Sequence, residues 1–208
     1  MARFALGSEG ALLREDASFA LTSTLASTDV TTLDRWAADA SQRAAERGVV
    51  GIVELEYGWS LETWTRRISA GSRTLRVEFG VYRDRLEDAA ALGLRTGDAI
   101  EGMHGLLTMG PFKVISDGSL NTRTALCRHP YPDGGHGVAN LTPAELLADL
   151  RFAVANGIEP AVHAIGDEAN RRALDAFAAV GAGGRIEHAQ LIDPADVPRF
   201  AELGVTAS

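Results

Sequence analysis

The chain has one cysteine, Cys127, and one lysine, Lys113, among 208 residues. A lone cysteine excludes an internal disulfide framework and fits a reducing, cytoplasmic setting. Aromatic residues make up only 6%, and no apolar run approaches the ~20 residues of a membrane span. The opening Met1-Ala2-Arg3-Phe4-Ala5-Leu6-Gly7 turns polar too soon for a signal peptide. Positive charge is in deficit: 20 Lys plus Arg face 28 Asp plus Glu, a net charge of -8. That balance argues against nucleic acid and anionic membrane, both of which select basic surfaces. The other nineteen basic residues are arginine, so a primary amine is available at one position only, and arginine cannot replace it where amine chemistry is needed.

What is present is an ordinary globular composition, 46% hydrophobic and 23% charged. The length suits one domain with a core of normal size. Short β-rich runs alternate with helical stretches. Strands are expected at Val49 to Glu56, Leu75 to Tyr82, Phe112 to Ser116, Pro160 to Ile165, Gly184 to Ala189, and from about Val205. Thr32 to Arg47 sets Leu33, Trp36, Ala37, Ala40 and Ala44 on one helical face and stops at Gly48. Thr142-Pro143-Ala144-Glu145 is a capping box with proline at the first helical position, opening a helix that ends at Gly157. Glu168 to Ala179 predicts another helix before Gly181, and Asp196-Val197-Pro198 opens a short one closed by Gly204. Repeated β-then-α units imply a parallel sheet with helices packed outside it, its strands apolar because both faces are covered. A barrel and an open doubly wound sheet both satisfy this pattern. The long irregular stretch from Asp117 to Asn140 is expected to be functional.

In parallel α/β folds the chemistry gathers at the carboxyl ends of strands. Those ends carry Glu54 and Glu56, Lys113 and Asp117, His163 and Asp167, Glu187 and His188. Neighbouring strands lie about 4.8 Å apart, so His163 and His188 at matching heights could grip one ion. The competing reading is two buried histidines bonded to backbone. Lys113 lies within Phe112-Lys113-Val114-Ile115, where burial lowers an amine's pKa. A neutral amine forms a Schiff base or captures carbon dioxide as a carbamate; the alternative is a lysine head that snorkels out or pairs with Asp117. Asp167 reads as a helix cap or a ligand. At most one of Glu54 and Glu56 faces the sheet's inner side. Cys127-Arg128-His129 with His136 matches no common structural zinc spacing and reads as loop.

Several stretches carry a family resemblance. Phe112-Lys113-Val114-Ile115-Ser116-Asp117-Gly118-Ser119-Leu120 is followed by Thr122-Arg123-Thr124-Ala125 and Pro130-Tyr131. With His163-Ala164-Ile165-Gly166-Asp167-Glu168-Ala169 and Arg185-Ile186-Glu187-His188-Ala189-Gln190, they resemble the metal-dependent amidohydrolases of the type-3 branch, which includes YtcJ-like proteins and N-substituted formamide deformylases. Gly10-Ala11-Leu12-Leu13-Arg14-Glu15 is similar to the segment that leads back into the barrel in that branch.

The resemblance implies a (β/α)8 TIM barrel that hydrolyses non-peptide C–N bonds with one or two divalent metals, zinc first, with iron and manganese as alternatives. His163 and His188 match two metal-binding histidines on consecutive strands, and Lys113 matches the strand-end lysine that is carboxylated in many members. The partner that the resemblance implies is a small-molecule substrate, with Asp117 and Asp167 as its candidate contacts. The family's first-strand His-x-His pair is absent from this sequence, and its metal-binding general-base Asp is expected beyond Ser208. On this reading residues 1–208 are the central part of the catalytic barrel, about six of eight strands, without the β-sandwich. The chain alone is then expected to lack turnover and, with open sheet edges, to be a homo-oligomer or poorly soluble. Two other readings stand beside it: a non-catalytic remnant of the same fold, and a metal-free Schiff-base lyase using Lys113.

Overall fold

A computed structural model describes residues 28–208; Gly10 to Glu15, read above as an approach to the barrel, lies outside them. The described residues fall in two units, one ending at Asp39 and one running from Ala40 to Ser208. Of the first, only the opening turns of helix α1 (Val30–Ala45) are described.

The second unit alternates strand and helix throughout. β1 (Gly51–Glu54), α2 (Ser60–Ser69), β2 (Arg76–Val81), α3 (Arg83–Ala91) and β3 (Leu107–Ile115) come first. Then follow α4 (Pro143–Ala155), β4 (Pro160–Ala164), α5 (Asp167–Val180), β5 (Gly184–His188), α6 (Val197–Leu203) and β6 (Val205–Ala207). All six strands are parallel, and their order in the sheet is their order in the chain. A doubly wound sheet reverses order at a switch point, whereas a barrel adds each strand beside the last. The unit is therefore a partial TIM barrel, a six-stranded half-barrel with its helices outside. No helix among the described residues is long and apolar enough to cross a membrane.

Local signals explain most of these elements. The capping box forms as expected: Glu145 N–H donates to Thr142 Oγ1 at 3.2 Å, and Thr142 N–H donates to Glu145 Oε2 at 2.9 Å. Helices α2 and α3 were not anticipated from sequence. Their N-caps, Trp59 and Tyr82, make no side-chain cap bond, so no capping residue announces them. β3 begins at Leu107, five residues before the expected Phe112, and runs through Gly110-Pro111. That pair sits where the β2–β3 register shifts between Phe79 and Val81, an irregularity that accommodates a proline inside a sheet.

Strand alternation separates two faces. Val77, Phe79, Leu107, Met109, Phe112, Val162 and Ile186 are at most 1% exposed and join Leu150, Leu174 and Phe177 of the covering helices in one core. Burying each large side chain contributes about 1.5–3 kcal/mol. The opposite, inner face is polar rather than apolar. Register pairs Glu78 with Thr108, Lys113 with Ala161 and Arg185, and His163 with Glu187. Arg185 spans Glu78 and Glu159, at 3.4 Å from each. The inner face thus carries the charges while the helix side carries the packing.

Candidate functional site

β3 delivers Lys113 to the inner face, where it is 5% exposed. Burial pushes its amine down to about 8, with Glu187 opposing the shift. No hydrogen bond or ion pair reaches the amine among the described residues. On β4, the His163 Nε2 lies 3.1 Å from the Gly118 carbonyl and 3.5 Å from Asp117 Oδ1. A carbonyl only accepts, so this bond requires the proton on Nε2 and, in the neutral ring, leaves the lone pair on Nδ1. His188 closes β5 with a positive φ of 77°. Its ring meets that of His163 edge to face, with centroids 4.6 Å apart and planes at 73°. Burial lowers the His188 pKa first, and the His163 and Lys113 charges lower it further, against Glu187 and Asp117. The ring is therefore held neutral near pH 7.

Asp117 is fully buried. Its Oδ1 accepts from Ile165 N–H at 3.0 Å, and its Oδ2 accepts from Gly166 N–H and Leu126 N–H, both at 2.9 Å. Burial raises its pKa against those three bonds and the nearby His188. The carboxylate thus pins the irregular loop, 117–140, to the end of β4. Asp167, the first residue of α5, accepts from Arg128 N–H at 2.9 Å and Glu168 N–H at 3.0 Å. The cap position itself belongs to Gly166. Cys127 and His136 pair within the loop, with Cys127 N–H donating to the His136 carbonyl at 2.8 Å. Glu54 shares register with Phe79 and so lies on the helix side, where burial raises its pKa and Ser60 bonds to it.

Lys113, His163, His188 and Asp117 are thus brought together at the carboxyl ends of three consecutive strands. Asp117 rather than Lys113 is the most buried charged group there. Sequence reasoning did not single out Tyr57 and Tyr82, whose rings stack at 4.3 Å near the ends of β1 and β2. Their signal was position alone, an aromatic just after each strand. Among the described residues no group of three His, Cys, Asp or Glu is placed to hold a metal ion. The donor set nevertheless fits a divalent cation. Two imidazoles meet, one of them kept neutral, beside a buried amine.

Comparison with known proteins bears on the family and the fold. The pattern described as "Amidohydrolase family" matches residues 1–208. The LONG AFTER FAR-RED 3 protein of Arabidopsis thaliana is 36% identical over 111 residues, 49% of this chain and 19% of its own length. The YtcJ protein of Bacillus subtilis, named as an amidohydrolase, is 28% identical over 151 residues, 70% of this chain and 27% of its own. A solved structure of an uncharacterized metal-dependent hydrolase from Pyrococcus furiosus superposes with a TM-score of 0.78 at 28% identity, covering 94% of this chain and 42% of that one. The chain therefore spans less than half the length of each of these relatives.

Proposed function

The chain belongs to the amidohydrolase family, and from that premise we propose that it contributes the central part of a site for metal-dependent hydrolysis of non-peptide C–N bonds. The observation that carries the reading is the meeting of the His163 and His188 rings at 4.6 Å beside the buried Lys113. His163, His188 and Lys113 would hold one or two divalent ions, zinc before iron or manganese. When bound, such an ion lowers the pKa of water and polarises the scissile carbonyl.

The chain's own residues prepare that site. The Gly118 carbonyl accepts the hydrogen bond from the Nε2–H of His163, which fixes the ring's tautomer and orientation. Burial first, and then the neighbouring positive charges, keep His188 neutral, the form that donates a lone pair. With its pKa near 8, a fraction of Lys113 is neutral at pH 7. Its nitrogen attacks carbon dioxide, a C–N bond forms, and one proton is released to give the carbamate anion. Asp117 holds loop 117–140 against the strand ends, so Asp117 and Asp167 act on the substrate through the loop they brace.

The test is zinc binding by the metal-free chain, read by competition with a chromophoric chelator. The wild type should bind zinc, and His163→Ala and His188→Ala should each weaken binding by about 10–100-fold or more while the circular dichroism stays unchanged. Equal zinc affinity in wild type and the double variant would overturn the reading. Borohydride trapping of a carbonyl compound on Lys113 in metal-free protein would favour the Schiff-base lyase instead.

A further inference from the structure

A pocket of about 330 Å³ opens beside Lys113, with Tyr57, Tyr82, Ile115, Asn140 and Leu141 among its walls. It lies outside the His163–His188 pair, and none of the steps above uses it. Its volume is at the low end for small-molecule sites, enough for a single ring and a short polar group. The wall formed by the two tyrosines is built. Tyr82 O–H donates to the Leu55 carbonyl at 2.8 Å, which fixes that ring. Tyr57 stacks on it with centroids at 4.3 Å and planes at 27°. The outer ring, Tyr57, is 65% exposed, an aromatic face backed by a second ring and open to a ligand.

Charge narrows the chemistry of the occupant. Asp84, a mostly exposed carboxylate on the lining, repels an anionic ring. In the metal-free chain the Lys113 amine stands at the inner end and disfavours a cation. Arg83, on the rim, has its guanidinium tied to Asp149 at 3.0 Å and offers little net charge. An uncharged π-face is what remains, and such faces stack on tyrosine in offset or edge-on geometry. Leu141 and Ile115 supply the apolar side walls, and the amine end is polar.

We propose that this pocket receives a neutral aromatic ring, so that the substrates are aryl-bearing amides whose ring rests on Tyr57 and whose amide points toward Lys113. The word substrate rests on the hydrolytic reading above; the aromatic preference of the pocket does not.

The experiment titrates the 208-residue chain, treated with EDTA, with acetanilide and with N-cyclohexylacetamide, a pair differing in ring aromaticity. Saturation-transfer NMR reads both affinities without any metal or turnover. Acetanilide should bind about fivefold or more tighter. Tyr57→Ala should abolish the difference, and Tyr57→Phe should keep it. Tyr57 is exposed, so neither change threatens folding. Equal binding of the two probes, no binding of either, or a preference that survives Tyr57→Ala would overturn the proposal. Loss of zinc binding with the aryl preference intact would instead count against the hydrolytic reading alone.

Discussion

His188 shares its register position with Ala164 rather than with His163, yet its ring lies edge-on to the His163 ring at 4.6 Å. Register partners in a parallel ladder project to the same side, and Ala164 is fully buried on the helix side. A regular β5 would therefore send His188 toward the helices, away from His163. The positive φ of His188, 77°, followed by 36° at Ala189, breaks the alternation and turns the ring inward. Backbone in this region is costly for most side chains and clusters where function needs a particular aim.

This conformation separates two substitutions at one position. Asparagine tolerates positive φ, whereas a β-branched side chain does not. His188→Asn should leave stability nearly unchanged, while His188→Val should lose about 1–3 kcal/mol. Urea denaturation of the metal-free proteins measures both. Equal stabilities would mean that the turn carries no strain.

The buried amine gives a pH signature in chelator-treated protein. Below about pH 8 Lys113 is charged in both folded and unfolded chains, so the folded state bears the full desolvation cost. Between about 8 and 10.5 the folded chain releases the proton while the unfolded chain keeps it. The unfolded state then binds more protons, and stability rises with pH. Above that window both forms are neutral and the gain stops. Comparing Lys113→Met with wild type across pH 7 to 11 isolates the effect: the stability difference should shift in favour of wild type through that window. A pH-independent difference would sink the assignment of a lowered pKa.

Some of this was legible in the sequence for identifiable reasons. Thr142 and Glu145 announce α4 because both halves of a capping box are local in sequence. Leu75 to Tyr82 reads as a strand; it forms over Arg76–Val81, and its alternation is kept as exposed or half-buried Arg76 and Glu78 against buried Val77 and Phe79. Lys113 and His163 fall on one inner face because a period of two carries from strand to strand. What could not be read depends on long-range or backbone facts. The first half of β3 hides behind Gly110-Pro111, which punctuates the sequence but only shifts register against β2. The inward aim of His188 depends on the sign of one dihedral angle. Asp117 looked like a polar strand-end group; its acceptors' partners, Leu126, Ile165 and Gly166, come from two separate segments that only folding unites.

Those three partners set the cost of losing Asp117. Removing the carboxylate leaves buried N–H donors unsatisfied, each at about 1–3 kcal/mol. Asp117→Ala should destabilise the chain by at least about 3 kcal/mol and expose loop 117–140 to protease before global unfolding. Denaturant titration and limited proteolysis followed by mass spectrometry check the two parts. A loss under about 1 kcal/mol would show that water replaces the carboxylate and that the loop is held elsewhere.

Gly166 tests the same junction from the other side. It follows β4 in His163-Ala164-Ile165-Gly166 and caps α5, and the backbone of loop 117–140 packs directly on it. A Cβ built there falls on the backbone of Leu126 at its carbonyl, its carbon and its nitrogen, with no flexible side chain to move aside. Gly166→Ala must therefore push Leu126 away, lengthening the Leu126 N–H bond to Asp117 and the Ala169 N–H bond to Leu126. Displacing Leu126 loosens the loop whose Gly118 carbonyl orients His163. The overpacking should cost about 1–3 kcal/mol, and zinc affinity should fall with it, because the ring that donates loses its brace. Gly181→Ala is the control, since open space surrounds that position and it lies at the far end of α5. It should strain its own positive φ, 66°, and lower stability without changing zinc affinity once the folded fraction is accounted for. If both variants lose zinc affinity only in proportion to their folded fraction, the link from Gly166 through the loop to His163 is wrong.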